Sequence, residues 1–445
     1  MRITFIRPSL HGAPSSDAME PLGLAVLAAL TPRDVETRLL DERVEPLPPA
    51  APTDLVALTV ETYTARRAYQ IAGEYRRRGV PVVMGGHHPT LLPDEALAHA
   101  DAIVLGDAEG LWEQVVADAA GGGLRRVYEQ AAPPPLAGMR VDRSIFRGKR
   151  YVGLTLVQLG RGCRHACEFC SVHAFYGHEV RQRPVGEVIE EIAQARARHV
   201  FFVDDDLFAD PARARALCEA LIPLRLRWSC QISSDMARDS GFVDLLRRSG
   251  CSTVLVGFES LDPANLRQMG KGWSGRDGGP ASFVRALHAA GIMVYGTFVF
   301  GYDADTPAAF DATVDFAVRN RLLLANFNPL TPTPGTRLFD RLRREHRLLH
   351  PKWWLDPGYR YGQACFRPRG MTPQQLSDGC WRARRRFYSR ASIVGRLARS
   401  PETLRSARRF FLYLGANLIS RREVRAKQGR ALGAPARVEP AGAAR

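Results

Sequence analysis

The sequence predicts an α/β chain: a doubly wound, Rossmann-like parallel sheet, then a partial (β/α)6 barrel, then a helical extension. Three observations carry this. Short apolar strands alternate with helical segments through residues 1–130, a second such alternation fills 151–345, and Gly121–Gly123 with Pro133–Pro135 break the pattern between them. A linker is therefore expected over 131–150, the extension over 346–430 and a disordered tail over 431–445.

In the first part, RITFIRP, TRLLDE, DLVALTV, VPVVMGG and DAIVLGD read as buried strands. LGLAVLAAL, TARRAYQIAGEYRRRG, PDEALAHA and LWEQVVADA read as the helices between them. A doubly wound sheet binds its ligand outside the carboxyl ends of its strands. The loops there run from Arg7 to Gly23, Val60 to Tyr63, Gly85 to Thr90 and Gly106 to Glu109. Gly85 and Gly86 let backbone approach a large ligand closely. No G-x-G-x-x-G follows the first strand, so a dinucleotide is not indicated.

In the second part the strands are GLTLVQL, HVFFVDDD, RWSCQIS, STVLVGFES, MVYGTFVFG and LANFNPLTP, with helices such as VGEVIEEIAQARAR and AAFDATVDFAVRN between them. Six such units make an open barrel, with its chemistry at the C-terminal strand ends.

Hydrophobic content of 45% and charged content of 24% are those of an ordinary globular chain. No run of eighteen apolar residues and no signal peptide is read, so the expected compartment is the reducing cytoplasm. The excess of 62 basic over 46 acidic residues gives a net charge of +16, much of it arginine near the C-terminus. It is read as solvated surface rather than a nucleic-acid site, leaving an anionic substrate or membrane surface open. The segment SARRFFLYLGANLISRREVRAK carries an apolar stripe (Phe410, Phe411, Tyr413, Leu414, Leu418) between arginines. It is either a helix packed on the barrel or an interfacial helix on anionic lipid.

The chemistry concentrates in RGCRHACEFCSVHAFYG, where Cys163, Cys167 and Cys170 crowd one loop at the end of the first barrel strand. The other five cysteines stand singly in apolar segments, as structural cysteines do. Three thiolates at this spacing converge on an iron–sulfur cluster with one iron left open to chelation. The competing reading is structural zinc, with His165, His173 or His178 as fourth ligand. No side chain is singled out as catalytic.

The C-x-x-x-C-x-x-C pattern, with Phe169 before its last cysteine, resembles the signature of the radical S-adenosylmethionine (SAM) enzymes. The resemblance implies a [4Fe–4S] cluster on Cys163, Cys167 and Cys170, whose open iron binds SAM and releases a 5′-deoxyadenosyl radical. It implies SAM contacts at Phe169, at Asp204 and Asp205 closing the second strand, at Gln231 and Ser233, at Glu259 and at Gly301. A reductant such as flavodoxin or ferredoxin is implied too. Helix capping is the plain alternative for one of Asp204 to Asp206.

EPLGLAVLAAL, GGHHPTLLPDEALAHAD and GDAE resemble the cobalamin-binding domain that precedes many such enzymes. This implies cobalamin contacts at Ser9, Leu22, Gly23, Thr62, Gly85, Gly86, His87, Gly106 and Glu109. GDAE departs from the usual G-E-G-E, and GWSGRDGGPASF inserts glycines after the fourth barrel strand. WWLDPGYRYGQACFRPRGMTPQQL resembles the extension of hopanoid C-methylases and the anaerobic magnesium-protoporphyrin ester cyclase. No D-x-H-x-x-G loop is present and His11 lacks its orienting aspartate, so no histidine is expected on cobalt.

The function implied is a cobalamin-dependent radical SAM C-methyltransferase acting on an unactivated carbon of a small-molecule or lipid substrate. The alternatives are oxidative cyclisation with the same cofactors and a zinc- and cobalamin-binding sensor without catalysis. Tyr295, Tyr302, Phe327 and Asn328 are candidates to line the substrate site.

Overall fold

The computed structural model describes residues 1–48, 52–274 and 278–434. Six parallel strands form the first sheet: β1 (Arg2–Arg7), β2 (Glu36–Asp41), β3 (Leu55–Thr59), β4 (Val82–Gly85), β5 (Ala102–Val104) and β6 (Val127–Tyr128), in the order β2-β1-β3-β4-β5-β6. The sixth, pairing Ile103 with Val127, is two residues long and has no apolar run to announce it. Strand β1 lies between β2 and β3, with Ile6 opposite both Leu40 and Leu58. Its side chains alternate between two cores, which is why the strand reads as continuously apolar. Ile3 and Phe5 meet the helices Leu22–Leu30 and Trp112–Ala120, while Ile6 meets Ala65–Arg76. Trp353 and Trp354 from the C-terminal extension complete that second core, both essentially without exposure.

The linker is stitched to both sides. Phe146 is buried in the first domain's core. Arg143 donates to Glu20 at 3.1 Å, to Glu191 at 2.6 Å and to the Leu156 carbonyl at 2.6 Å.

The barrel strands are β7 (Thr155–Val157), then, after a hairpin of β8 (Gly160–Arg161) and β9 (Arg181–Gln182), β10 (His199–Phe202), β11 (Arg227–Ile232), β12 (Cys251–Glu259), β13 (Met293–Phe300) and β14 (Leu324–Pro329). They run parallel in the order β14-β13-β12-β11-β10-β7, an open six-stranded barrel as the sequence predicts. Rings of Phe258, Phe298 and Phe327 stack side by side between the strands and the surrounding helices, against Phe283, Phe316 and Phe387.

The extension closes back over the molecule. Arg396 is fully buried yet fully used: it donates to the carbonyls of Leu322, Leu323 and Phe387 and to Asn417. Its guanidinium lies 3.8 Å from the Phe387 ring centroid. Residues 431–434 correct the expected tail: Leu432 is buried, Gly433 N–H donates to the Leu10 carbonyl at 2.8 Å, and Ala434 N–H donates to Gln70 at 3.0 Å. The rest of that tail, 435–445, lies outside the described residues. The apolar stripe of the C-terminal helix Ala407–Lys427 is divided, since Tyr413 packs inward while Phe411 is 69% and Leu418 57% exposed. No helix among the described residues is long and apolar enough to cross a membrane.

Candidate active site

The hairpin β8–β9 turns residues 162–180 into a closed excursion that carries the three cysteines. Gly162 sits at φ +90°, where a Cβ would collide with the Glu179 carbonyl, so the entrance to the loop requires glycine. Two of the three consecutive carboxylates that follow β10 set its position, and the third braces the end of β11. Asp204 accepts the N–H groups of Leu159 (3.0 Å) and Gly160 (2.5 Å). Asp205 accepts Gly162 N–H at 3.0 Å. Asp206 accepts the Ser233 hydroxyl at 2.9 Å and N–H at 3.1 Å. Gln231 donates to the Asp205 carbonyl at 2.7 Å. The capping alternative is corrected: Asp210, not the triplet, caps Pro211–Leu221 by accepting from Ala212 and Arg213. Asp204, fully buried, is therefore occupied with the backbone before the cysteine loop, and burial pushes its carboxyl up to about 7.

Burial pushes the Cys163 thiol up to about 12 and that of Cys167 up to about 11, although the Lys271 ammonium faces Cys167 and works the other way. Bound metal would be needed to hold them as thiolates. Among the described residues no three His, Cys, Asp or Glu side chains are gathered tightly enough to grip a single ion. In a cubane cluster each thiolate binds its own iron, so three thiols on one short loop suit a cluster that leaves one iron open. The three thiols fit a cluster. Of the histidines weighed as zinc ligands, His173 bonds the Gly177 carbonyl at 2.9 Å and meets the His178 ring at 4.7 Å, while His165 stacks on Trp273 at 3.9 Å.

Glu259, at the end of β12, holds φ +64° and lies 3.4 Å from Lys271, which also donates to the Gly257 carbonyl at 2.8 Å. A left-handed glutamate costs roughly 1–3 kcal/mol and marks a site the surroundings enforce. Phe169 meets Tyr302 edge-on at 6.5 Å. Gly301 sits at φ +113° with Leu376 and Phe366 of the extension against it, so its missing Cβ serves packing.

In the first domain a cavity of about 520 Å³ opens at the carboxyl edge of the sheet. Leu22, Gly23, Gly85, Gly86, His87, Gly106 and Glu109 line it, as the cobalamin resemblance implies, with Trp112 among its walls. A Cβ at Gly23 or Gly106 would meet no atom within 4 Å, so a side chain there would project into the slot. A cavity edged by glycines, where backbone can approach a large group closely, fits the nucleotide tail of cobalamin. Two residues expected there are not part of its lining. Ser9 is turned to Glu42, donating from its N–H at 3.0 Å, and Thr62 bonds His88 at 3.3 Å. His11 is bonded to the Ala431 carbonyl at 2.7 Å, outside this cavity.

The cavity reaches the barrel at Gln158, Arg161, Phe175, Tyr176 and Val203. Arg161, two residues before Cys163, pairs with Asp107 (2.8 Å) and Glu109 (2.7 Å) of the GDAE loop. Arg181 on β9 takes the other oxygen of Asp107 at 2.6 Å. The cobalamin resemblance gives Glu109 a cofactor contact alone, and nothing local to GDAE points to Arg161 as its partner. A second tie joins Glu95 to His88 (3.2 Å), Trp354 (2.8 Å) and Lys352 (3.0 Å).

Residues 157–317 match the radical SAM superfamily, and residues 11–116 match the B12-binding domain. The chain is 31% identical over 394 residues to the bacteriochlorophyllide d C-12(1)-methyltransferase of Chlorobaculum tepidum, spanning 86% of this chain and 85% of that one. It is 26% identical to the hopanoid C-2 methylase of Rhodopseudomonas palustris over 75% of this chain and 66% of that one. Its fold resembles the radical SAM methyltransferase TsrM of Kitasatospora setae, solved with cobalamin and a [4Fe–4S] cluster bound (TM-score 0.58, 19% identity, 77% of this chain, 75% of that one). The chain belongs to the cobalamin-dependent radical SAM methyltransferase family. It is a radical SAM enzyme whose cofactors are a [4Fe–4S] cluster, SAM and cobalamin.

Proposed function

We propose that this enzyme methylates an unactivated carbon of a tetrapyrrole acid. When bound, the cluster and SAM supply a carbon-centred radical able to remove a substrate hydrogen, and cobalamin supplies the methyl group. The protein's own part is alignment. Asp204 and Asp205 fix the cysteine loop to the barrel, and Arg161 fixes the same loop to the cobalamin domain. One set of hydrogen bonds thus holds both cofactor sites in register. That tie between the two sites, Arg161 to Asp107 and Glu109, is the observation that carries the reading, because methyl transfer needs both cofactors to face one acceptor. SAM contacts are proposed at Phe169, Asp205, Gln231, Ser233 and Glu259, with Asp204 supporting them from beneath. His11 and His88 lie outside the cobalamin slot, whereas His87 lines it and packs on Phe175 at 4.5 Å.

The acceptor class rests on the relatives named for bacteriochlorophyllide d, which are 31% and 28% identical to this chain. The exposed Phe411 and Leu418, on a helix rich in arginine, support contact with an anionic membrane, where such amphiphiles concentrate. The test is to supply reduced, reconstituted enzyme with trideuteromethyl SAM and a chlorophyllide. A product in which one hydrogen is replaced by the labelled methyl supports the reading. Desaturated or cyclised product without label points to the oxidative alternative.

A further inference from the structure

A second cavity, of about 1080 Å³, opens beside the first and shares Arg7, Arg43 and Glu61 with it. Its walls come from the loop after β1, from Tyr63 and Tyr361, and from the end of the C-terminal helix. Most of its charges are already matched. Arg7 pairs with Glu61 at 2.6 Å, Arg43 with Asp41 at 2.7 Å, and Lys427 with Asp17 at 2.7 Å and Glu423 at 3.3 Å. Three remain. Arg150 from the linker, with Arg422 and Arg430 from the extension, line the exposed rim, and among the described residues none of them forms an ion pair. Behind them His11 Nε2 is buried without a hydrogen-bond partner. Burial, with the charges of Arg430 and Lys427 close by, holds that imidazole below its ordinary value, so the wall adds a neutral ring rather than another cation.

Two segments distant in sequence, the linker and the extension, thus bring three unmatched guanidinium groups to one mouth, over a chamber large enough for a ligand bigger than most drugs. Guanidinium groups hold carboxylate or phosphate through paired N–H donors. We infer that this cavity receives the methyl acceptor and that Arg150, Arg422 and Arg430 grip its carboxylate, orienting the ring system toward the cobalamin slot. The inference rests on the tetrapyrrole reading above. It gives that reading a recognition element which neither cofactor site contains.

The acceptor's carboxylate is one anion these arginines suit; the phosphate of cobalamin is another. The experiment separates them. Reconstituted full-length protein is titrated by fluorescence with pyropheophorbide a, a chlorin bearing one free propionate, and with its methyl ester. Hydroxocobalamin is titrated by absorbance in parallel. The acid is expected to bind at least about ten-fold tighter than the ester, a preference worth about 1.4 kcal/mol. In R150Q/R422Q/R430Q that preference is expected to vanish, with the melting temperature and hydroxocobalamin affinity unchanged. Equal binding of acid and ester by the wild type overturns the carboxylate grip while leaving the tetrapyrrole reading intact. Binding of neither overturns both. Loss of hydroxocobalamin affinity in the variant assigns the arginines to the cofactor and also overturns the inference.

Discussion

Arg161 and Glu109 form a two-pronged ion pair, Nη1 to Oε2 at 3.1 Å and Nη2 to Oε1 at 2.7 Å, across the boundary between the cobalamin domain and the barrel. The same guanidinium reaches Asp107 at 2.8 Å, and the Arg161 side chain is only 10% exposed. Paired forks of this kind fix orientation as well as distance. Breaking one that is buried leaves carboxylates unmatched, at a cost of about 3–5 kcal/mol.

Replacing Arg161 with Gln is therefore expected to uncouple the two cofactor sites. Methylated product should fall by at least about a hundred-fold, the penalty of an ångström-scale misplacement. Iron content and SAM cleavage without acceptor should stay within about two-fold, because the cysteine loop keeps its hydrogen bonds to Asp204 and Asp205. Parallel assays of 5′-deoxyadenosine and methylated product decide it. An equal loss of both would show that Arg161 supports the cluster rather than the alignment.

Glu95 anchors the extension to the first domain. Burial opposes its ionisation, yet hydrogen bonds from His88, Trp354 and Lys352 hold its carboxyl down to about 2. A carboxyl depressed on folding stabilises above its unfolded value, near pH 4.5, and that stability is lost as pH falls through about 2. Glu95→Gln should destabilise by about 1–3 kcal/mol at neutral pH, the range for disturbing a buried polar network. The gap between variant and wild type should narrow steadily below pH 4.5. Thermal melts across pH 7 to 3 measure it, and a constant gap would contradict the assignment.

The C-terminal helix offers a surface test. Phe411 and Leu418 lie seven residues apart on one outward face, with arginines at both ends of the helix. Co-sedimentation with vesicles of anionic phospholipid is expected at low salt. Phe411→Ser should weaken it by about ten- to a hundred-fold, as removal of one inserted side chain worth about 1.5–3 kcal/mol would. Unchanged sedimentation would return these residues to ordinary exposed surface.

Strands β1 to β5 and the six barrel strands announce themselves because most of them are covered on both faces and carry apolar runs. The cysteine loop is legible because thiols are scarce elsewhere. The role of Asp204 to Asp206 is not, because their hydrogen-bond partners include backbone N–H groups more than forty residues earlier, which no local pattern encodes. Glu109 suits a ligand or a salt bridge equally well until Arg161 is placed beside it. Trp353 and Trp354 read as part of an extension, and only packing shows that they complete the core of the other domain. The apolar stripe of the last helix divides between core and solvent because Asn417 and Tyr413 bond inward, which turns Phe411 out.

The central claim is that one chain carries a cysteine-held cluster and a separate cobalamin slot. It is tested most directly by comparing anaerobically reconstituted wild type with Cys163→Ala/Cys167→Ala/Cys170→Ala. The wild type should contain iron and sulfide, absorb near about 400 nm as thiolate–iron clusters do, and cleave SAM. The variant should lose all three and still bind hydroxocobalamin with unchanged affinity, because no cysteine lines that cavity. Retention of the band in the variant, or loss of cobalamin together with the iron, would contradict the account.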